Sequence, residues 1–196
     1  SLLAQHVELT IIAIVLAILI GIPLGIFISH YKSIRKYILG FINIVQAVPS
    51  MAFLGLLVPV LGIGSTPAIF MVVLYSLLPI VKNTSTGITG IDSGILESAT
   101  GIGLTPRQIL FKIQLPLALP VIMAGVRISA VSAVGLMTLS AFVGAGGLGE
   151  IVYAGIESTK IEIIFAGSLT VAFLAVLMDA LVTLINKKMF GKLNEA

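Results

Sequence analysis

Residues 7–29 read VELTIIAIVLAILIGIPLGIFIS, an apolar run in which Glu8 is the one charged side chain. About 20 consecutive apolar residues suffice for a helix to cross the hydrocarbon core of a bilayer. The rest of the 196-residue chain has the same character, with 58% hydrophobic residues, 10% charged residues and a mean hydropathy of +1.20. An average soluble domain has about 45–50% apolar and about 25% charged residues. The sequence therefore predicts an all-α membrane protein and argues against a soluble globule.

Four further apolar stretches follow this run, and each is long enough to span a bilayer with some tilt. The five predicted spans cover about residues 7–29, 38–61, 67–90, 117–143 and 162–186. No repeat and no low-complexity linker interrupts them, which indicates a single transmembrane domain over residues 1–196. Cysteine is absent, and His6 and His30 fall at opposite ends of the first span, so no metal site is expected.

The basic residues predict the orientation of the chain. Those on one side of the predicted spans are Lys32, Arg35, Lys36, Arg107, Lys112, Lys187, Lys188 and Lys192, whereas Lys160 is alone on the other side. Cytoplasmic loops carry the excess of Lys and Arg. We therefore expect the amino terminus outside, the carboxyl terminus in the cytoplasm and residues 144–161 outside. Because the basic clusters lie between apolar runs, the pI of about 9.3 indicates membrane orientation and no nucleic-acid partner.

The connection between the third and fourth spans, residues 91–116, is longer than a helix connection in a bundle usually needs. It contains helix start signals: Asp92 or Ser93 can cap a helix, and Thr105 precedes a proline that suits the first helical position. The pattern predicts two short cytoplasmic helices joined at Gly103 and Leu104.

A spaced motif lies in this connection. It consists of Glu97, Ser98 and Ala99, a glycine at Gly103, and the final group Ile113, Leu115 and Pro116. This spacing resembles the EAA signature, E-A-A-x3-G-x9-I-x-L-P, of the membrane subunits of bacterial ABC importers. Ser98 is the one departure, because the family usually has alanine there, and the exchange preserves size.

The resemblance implies a type I ABC importer (MetI-like) fold in which residues 91–116 form a coupling loop seated on an ATP-binding subunit. The coupling residues carried over are Glu97, Ser98, Ala99, Gly103, Leu104, Ile113, Leu115 and Pro116. The implied partners are two ATP-binding subunits, a second identical or homologous permease, and an external substrate-binding protein or fused binding domain. The chain lacks the G-x-x-x-x-G-K-[ST] phosphate-binding motif, so ATP and Mg²⁺ would be bound by the partner and no cofactor by this chain.

The stretches 46–50, 75–80, 116–125 and 144–149 resemble permeases of glycine betaine, carnitine and choline importers. The resemblance covers residues 7–188. It implies a transporter subunit in the bacterial cytoplasmic membrane that forms half of a pathway for betaine-like quaternary ammonium compounds, ergothioneine included. An importer of another small polar solute, such as an amino acid, and a passive channel remain alternatives. An intramembrane enzyme is disfavoured, because no paired carboxylates, metal cluster or nucleophilic triad is visible.

Polar residues inside the spans require partners or a function, because burying them in lipid is costly. By helical rise, Arg127 and Asp179 fall near one depth, and we expect them to form a structural pair. Pro49 interrupts the second span, so that either an ordinary proline kink or an irregular path-lining segment could result. The candidate pathway residues are Gln46, Pro49, Ser50, Tyr75, Asn83 and Ser140. The glycine-rich run 144–149 predicts either a flexible turn near the pathway or a plain structural turn.

Overall fold

The computed structural model describes residues 1–190, so that the predicted cytoplasmic Lys192 lies outside the described residues. The helices are α1 (Leu2–His30), α2 (Lys32–Ala47), α3 (Ser50–Leu61), α4 (Ser65–Thr89), α5 (Ser93–Gly101), α6 (Pro106–Ile109), α7 (Leu115–Met137), α8 (Gly149–Glu157) and α9 (Ile161–Phe190). A π-helical turn (Leu110–Gln114) joins α6 to α7, and a 3₁₀ segment (Thr138–Val143) follows α7. The prediction of an all-α membrane protein is confirmed.

The core lies where α1, α4 and α7 meet. α1 and α4 run parallel, and Gly21 and Gly25 on α1 face Ile80 and Thr84 on α4. α7 runs antiparallel to α4, so that Gly125 approaches the carbonyl of Pro79. Glycines at these crossings let the backbones approach closely, which is how membrane helices pack in the absence of a hydrophobic driving force. The buried core side chains include Ala13, Ala17, Met71, Val72, Ala130, Ala133 and Met137.

The predicted second span is not one helix with a proline kink. α2 and α3 are bent by 98° relative to one another at Val48 and Pro49. Val48 is extended, with φ −71° and ψ 132°, because a residue before proline is disfavoured in the α region. α2 begins directly after α1 ends, and α3 leads into the start of α4, which lies at the other end of the bundle. The broken pair therefore leads from one end of the bundle to the other.

Two ends of the bundle can thus be distinguished. The amino end holds the start of α1, and there the Gly64 N–H donates to the Val143 carbonyl at 2.7 Å. The basic end holds the carboxyl ends of α1, α4 and α9. Within residues 1–190, four helical segments are long and apolar enough to cross a membrane. The number is the predicted five when the broken pair, which leads from one end of the bundle to the other, is counted as one span.

The connection between the third and fourth spans contains one separate helix instead of the two predicted. α5 begins as predicted, with the Asp92 carboxylate accepting from the Gly94 N–H at 2.8 Å. The second predicted helix also begins as predicted, at Pro106 after the Thr105 cap, but it continues to Val143 as a 38-residue helical segment. The π-helical turn allows this continuity, because the Leu115 N–H donates to the Leu110 carbonyl immediately before Pro116, which has no N–H.

The glycine-rich run is a buried structural turn. Gly144, Gly146 and Gly147 all have positive φ angles, of 67°, 79° and 86°, which favour glycine. Residues 145–149 are buried against the start of α1. α8 then forms a hairpin with α9, in which Gly155 faces the Ile164 backbone nitrogen.

Candidate functional site: coupling segment and polar residues at membrane depth

α5 projects from the basic end and is largely exposed. Ala99 is its one buried residue, at 3% exposure, whereas Glu97 and Ser98 are exposed. Ile102, which follows the helix, is 79% exposed despite being apolar. A shallow open groove runs along the helix between Ser93 and Gly101. Such a surface offers both apolar area and a carboxylate to another protein.

Gly103 ends α5 with a specific hydrogen-bonded cap. The Leu104 N–H donates to the Ala99 carbonyl at 3.1 Å, and the Gly103 N–H donates to the Thr100 carbonyl at 2.9 Å. This pair of bonds is the Schellman motif, which requires a left-handed residue, and Gly103 has φ +86°. The spacing from Ala99 to the glycine in the motif therefore corresponds to the geometry of a helix end.

The final residues of the motif are less exposed than Glu97, Ser98 and Gly103. Ile113 is on the π-helical turn, Leu115 and Pro116 begin α7, and all three are half-buried. Leu115 packs against the buried cluster that includes Ile88 and Ala118. Leu104 is also half-buried. Of the eight residues that the resemblance assigned to coupling, Glu97, Ser98 and Gly103 are the exposed ones.

The break between α2 and α3 brings several predicted pathway residues together. The Gln46 side-chain amide donates to the Tyr75 carbonyl at 2.6 Å, and the Tyr75 hydroxyl donates to the Val48 carbonyl. The rings of Phe53 and Tyr75 lie 5.9 Å apart between centroids. Pro49 is exposed and Ser50 is half-buried beside it.

Gln46 has a structural role at this break. In a regular helix the Tyr75 carbonyl would accept from the N–H of the residue four positions later, but that residue is Pro79. The Gln46 amide replaces the missing donor, so a carbonyl at membrane depth keeps a partner.

The remaining pathway candidates lie elsewhere. The Asn83 side-chain amide donates to the Pro79 carbonyl of its own helix at 2.7 Å. Ser140 is fully buried at the amino end and donates to the Gly146 carbonyl at 2.7 Å. The structure does not bring either residue to the break.

Arg127 on α7 and Asp179 on α9 meet in a two-pronged ion pair. Nε of Arg127 donates to one carboxylate oxygen, and Nη2 donates to the other at 2.5 Å. The pair is not enclosed, because the two side chains are 49% and 33% exposed. The sequence predicted that these two residues lie at a common depth, but it gave no indication that their side chains would be so exposed.

A clamp at the amino end was missed by the sequence reasoning. Gln5 donates to the Ala145 carbonyl at 3.0 Å and accepts from the Gly147 N–H at 3.3 Å. The Leu148 N–H donates to Nδ1 of the fully buried His6, whose Nε2 donates to the Val134 carbonyl at 3.0 Å. The available signal was an adjacent polar pair and a glycine run predicted at the same membrane surface.

Within residues 1–190, no three His, Cys, Asp or Glu side chains come close enough to hold a metal ion.

The helical bundle with the exposed α5 has the fold of known ABC transporter membrane subunits. The fold matches the MetNI methionine ABC transporter in an inward-facing conformation, with a TM-score of 0.80 at 22% identity over 94% of this chain and 92% of that one. It also matches an amino acid ABC transporter, with a TM-score of 0.74 at 17% identity over 95% and 91% of the two chains. The predicted MetI-like fold is confirmed.

The chain belongs to the family described as the binding-protein-dependent transport system inner membrane component, which matches residues 9–191. It is 40% identical to the choline transport system permease protein OpuBB of Bacillus subtilis, over 94% of this chain and 85% of the relative. It is 42% identical to the glycine betaine/carnitine/choline transport system permease protein OpuCD of the same organism, over 89% and 77%. Identity to the osmoprotectant import permease protein OsmW of Salmonella typhimurium is 41%, over 91% and 86%. The chain is thus a membrane transport component and not an enzyme.

Proposed function

We propose that this permease forms half of the pathway of an importer for betaine-like quaternary ammonium compounds, including glycine betaine, carnitine, choline and ergothioneine. The proposal rests on about 40% identity, over nearly the whole chain, to relatives named for choline, carnitine and osmoprotectant transport. The full assembly contains two ATP-binding subunits, a second identical or homologous permease, and an external substrate-binding protein or fused binding domain. ATP and Mg²⁺ are bound by the ATP-binding subunits.

The permease lies in the bacterial cytoplasmic membrane with its basic end in the cytoplasm. Support comes from Lys32, Arg35, Arg107 and Lys187, all of which follow or precede spans at that end. Cytoplasmic segments carry the excess of Lys and Arg. In this orientation the amino terminus is outside, the carboxyl terminus is cytoplasmic, and α5 faces the compartment that supplies ATP.

α5 is the coupling helix that an ATP-binding subunit holds. Its support is the combination of an exposed carboxylate at Glu97, an exposed apolar residue at Ile102 and few contacts with the rest of the chain. Buried apolar area gives affinity to such an interface, and a rim charge contributes to orientation. ATP drives the cycle by stabilising one arrangement of the permease relative to the other.

The break between α2 and α3 lines the translocation path. Irregular backbone at membrane depth is tolerated where it is buried in protein or lines a water-filled cavity, and Pro49 is exposed in this chain. The neighbouring rings of Phe53 and Tyr75 offer aromatic faces, which attract quaternary ammonium groups. The quaternary ammonium group of a substrate would thus meet an attractive surface at mid-membrane.

The test is uptake by the complete importer reconstituted in liposomes. We expect ATP-dependent uptake of radiolabelled glycine betaine or choline, and no uptake of methionine or histidine. A permease that carried an amino acid instead, or that passed solute without ATP, would contradict the proposal.

Within that assay, Gly103→Val tests the coupling helix. A side chain at φ +86° costs about 1–2 kcal/mol, so the helix end is displaced and coupled ATP hydrolysis and uptake fall about 5–30-fold. Gly40→Val is the matched control, because no atom lies within 4 Å of the added Cβ, its backbone is helical, and it lies on α2 outside the coupling segment. Normal coupled turnover in Gly103→Val would count against this assignment of α5.

A further inference from the structure

Lys82 is the one charged side chain of α4, and it is exposed. It lies seven residues before the last residue of the helix, which is about 10 Å inside the basic end of the bundle. Among the described residues Lys82 has no ion pair, whereas Arg127 is neutralised by Asp179. An ionisable residue inside a membrane span faces a water-filled cavity or a partner of opposite charge. Lys82 therefore requires a partner that the described part of the chain does not supply.

Lys82 shares one face of α4 with residues at the break between α2 and α3. Tyr75, Pro79, Lys82 and Thr86 are spaced by four, three and four residues, so they lie in a row along the helix. We call this row the α4 stripe. Lys82 and Thr86 are exposed, and Tyr75 and Pro79 are half-buried. The α4 stripe therefore leads from the break toward the basic end.

The other sides of α4 are covered by neighbouring helices. The glycines of α1 pack against Ile80, and α2 shares a buried cluster with Val81. On the side of α7, the Ser129 hydroxyl donates to the Ser76 carbonyl at 2.8 Å. These contacts leave the α4 stripe as an open surface between α2 and α7.

The arrangement of groups along the α4 stripe suits a zwitterion. Tyr75 and Lys82 are seven residues apart, or about 10 Å along the helix axis. A helical side chain leans toward the amino end of its helix, so the Lys82 ammonium group reaches back toward Tyr75. The rings of Phe53 and Tyr75 attract a quaternary ammonium group, and a lysine ammonium group donates charge-assisted hydrogen bonds to a carboxylate. A small compound that carries both groups can thus be bound at both points.

We propose that Lys82 binds the carboxylate of zwitterionic substrates, such as glycine betaine and carnitine, while their quaternary ammonium group lies at Phe53 and Tyr75. The inference rests on the proposed function, which brings a betaine-like substrate to the break. Choline has the same quaternary ammonium group but no carboxylate, and the nearby positive charge of Lys82 repels it. Lys82 is thus a specificity-determining residue that favours zwitterions over choline.

The experiment compares uptake of radiolabelled glycine betaine and choline, each at a saturating concentration, by the complete importer in liposomes. In Lys82→Met we expect glycine betaine uptake to fall at least about tenfold, because a hydrogen bond to a charged group is lost, while choline uptake stays equal or rises. The same external binding protein or domain serves every variant, so its own preference cancels when the ratio of the two uptake rates is compared between variants.

Two further variants separate the charge of Lys82 from other effects of substitution. Lys82→Arg keeps the positive charge and should keep the wild-type ratio. Lys36→Met makes the same exchange at an exposed cation of α2, outside the α4 stripe, and should also leave the ratio unchanged. If Lys82→Met does not assemble with the ATP-binding subunits, Lys82→Gln carries the same expectation.

An unchanged ratio of the two uptake rates in Lys82→Met overturns the proposal. A wild-type importer that carries choline but not glycine betaine also overturns it, while the proposed function stands. Absence of ATP-dependent uptake of both compounds by the wild type would refute the proposed function, and this inference with it.

Discussion

His6 shows how a single buried side chain joins three parts of the molecule. Its Nδ1 accepts from the Leu148 N–H and its Nε2 donates to the Val134 carbonyl, so the ring is neutral and carries its proton on Nε2. The residue thereby connects α1, α7 and the turn before α8. A buried group that loses such a partner costs about 1–3 kcal/mol.

His6→Leu should therefore destabilise the permease. The substitution leaves the Leu148 N–H and the Val134 carbonyl without partners in a buried site, and we expect a loss of about 2–6 kcal/mol for the two groups. The measurement is the midpoint of thermal aggregation in detergent. His30→Leu is the matched control, since His30 is exposed at the other end of α1 and bonds only within its own last turn. Equal midpoints for the two variants would show that the hydrogen bonds of His6 contribute nothing to the thermal stability of the permease.

At the scale of single residues, the sequence predicted those features that depend on local spacing. The common depth of Arg127 and Asp179 followed from helical rise. The end of a helix near Gly103 followed from the local sequence of the connection. The role of Gln46 could not be predicted, because it depends on the missing N–H of Pro79 in another helix. Side-chain partners that are distant in sequence require the packing to be known.

Among the helices, the crossing of α1 and α4 is set by glycine. A Cβ added at Gly25 would lie 2.5 Å from the Thr84 Cβ and 3.0 Å from the Val81 carbonyl oxygen. Neither atom can move without shifting α4. The crossing distance is thus fixed by the absence of a side chain at this position.

Gly25→Ala should accordingly separate these two helices. We expect a destabilisation of about 1–3 kcal/mol, as for other overpacked cores. Gly40→Ala on α2 is the control, because no atom lies within 4 Å of its added Cβ, and it should be neutral or slightly stabilising. The measurement is the thermal unfolding midpoint of each purified variant, which we expect to be lower for Gly25→Ala than for Gly40→Ala. Equal midpoints would contradict the close packing of α1 on α4.

The helix boundaries were predicted with mixed success, for a physical reason. The start signals at Asp92 and Thr105 were correct, because capping is a local interaction. The sequence predicted span four to begin near Leu117, yet the helix starts at Pro106, since a π-helical turn accommodates Pro116. The 98° bend at Pro49 was likewise larger than an ordinary proline kink, because α2 and α3 pack separately on α4.

For the whole molecule, hydropathy predicted the class and the number of crossings, because backbone in lipid must be helical or otherwise fully bonded. Hydropathy could not predict which helix faces remain open. That information appears only when α7 and α9 are placed together, with the exposed Arg127 and Asp179 on one side and large exposed apolar residues, such as Phe173 and Leu177, on the other.

The orientation of the whole molecule is testable with a membrane-impermeant maleimide on intact cells. Ser33→Cys lies at the basic end and Ser158→Cys at the amino end, and both positions are exposed. We expect labelling of Ser158→Cys in intact cells and of Ser33→Cys only after permeabilisation. The reverse pattern would place α5 outside the cell and remove it from the reach of ATP-binding subunits.

The unbroken helical segment from Pro106 to Val143 has a mechanical consequence. Its 38 residues form one continuous helical segment about 57 Å long, at about 1.5 Å per residue. If this segment pivots near its centre by about 10°, its two tips swing in opposite directions by about 5 Å each. A displacement of the cytoplasmic end of this helical segment would then move the glycine turn beyond Val143 in the opposite direction. One continuous helix would thus close one end of the translocation path while it opens the other.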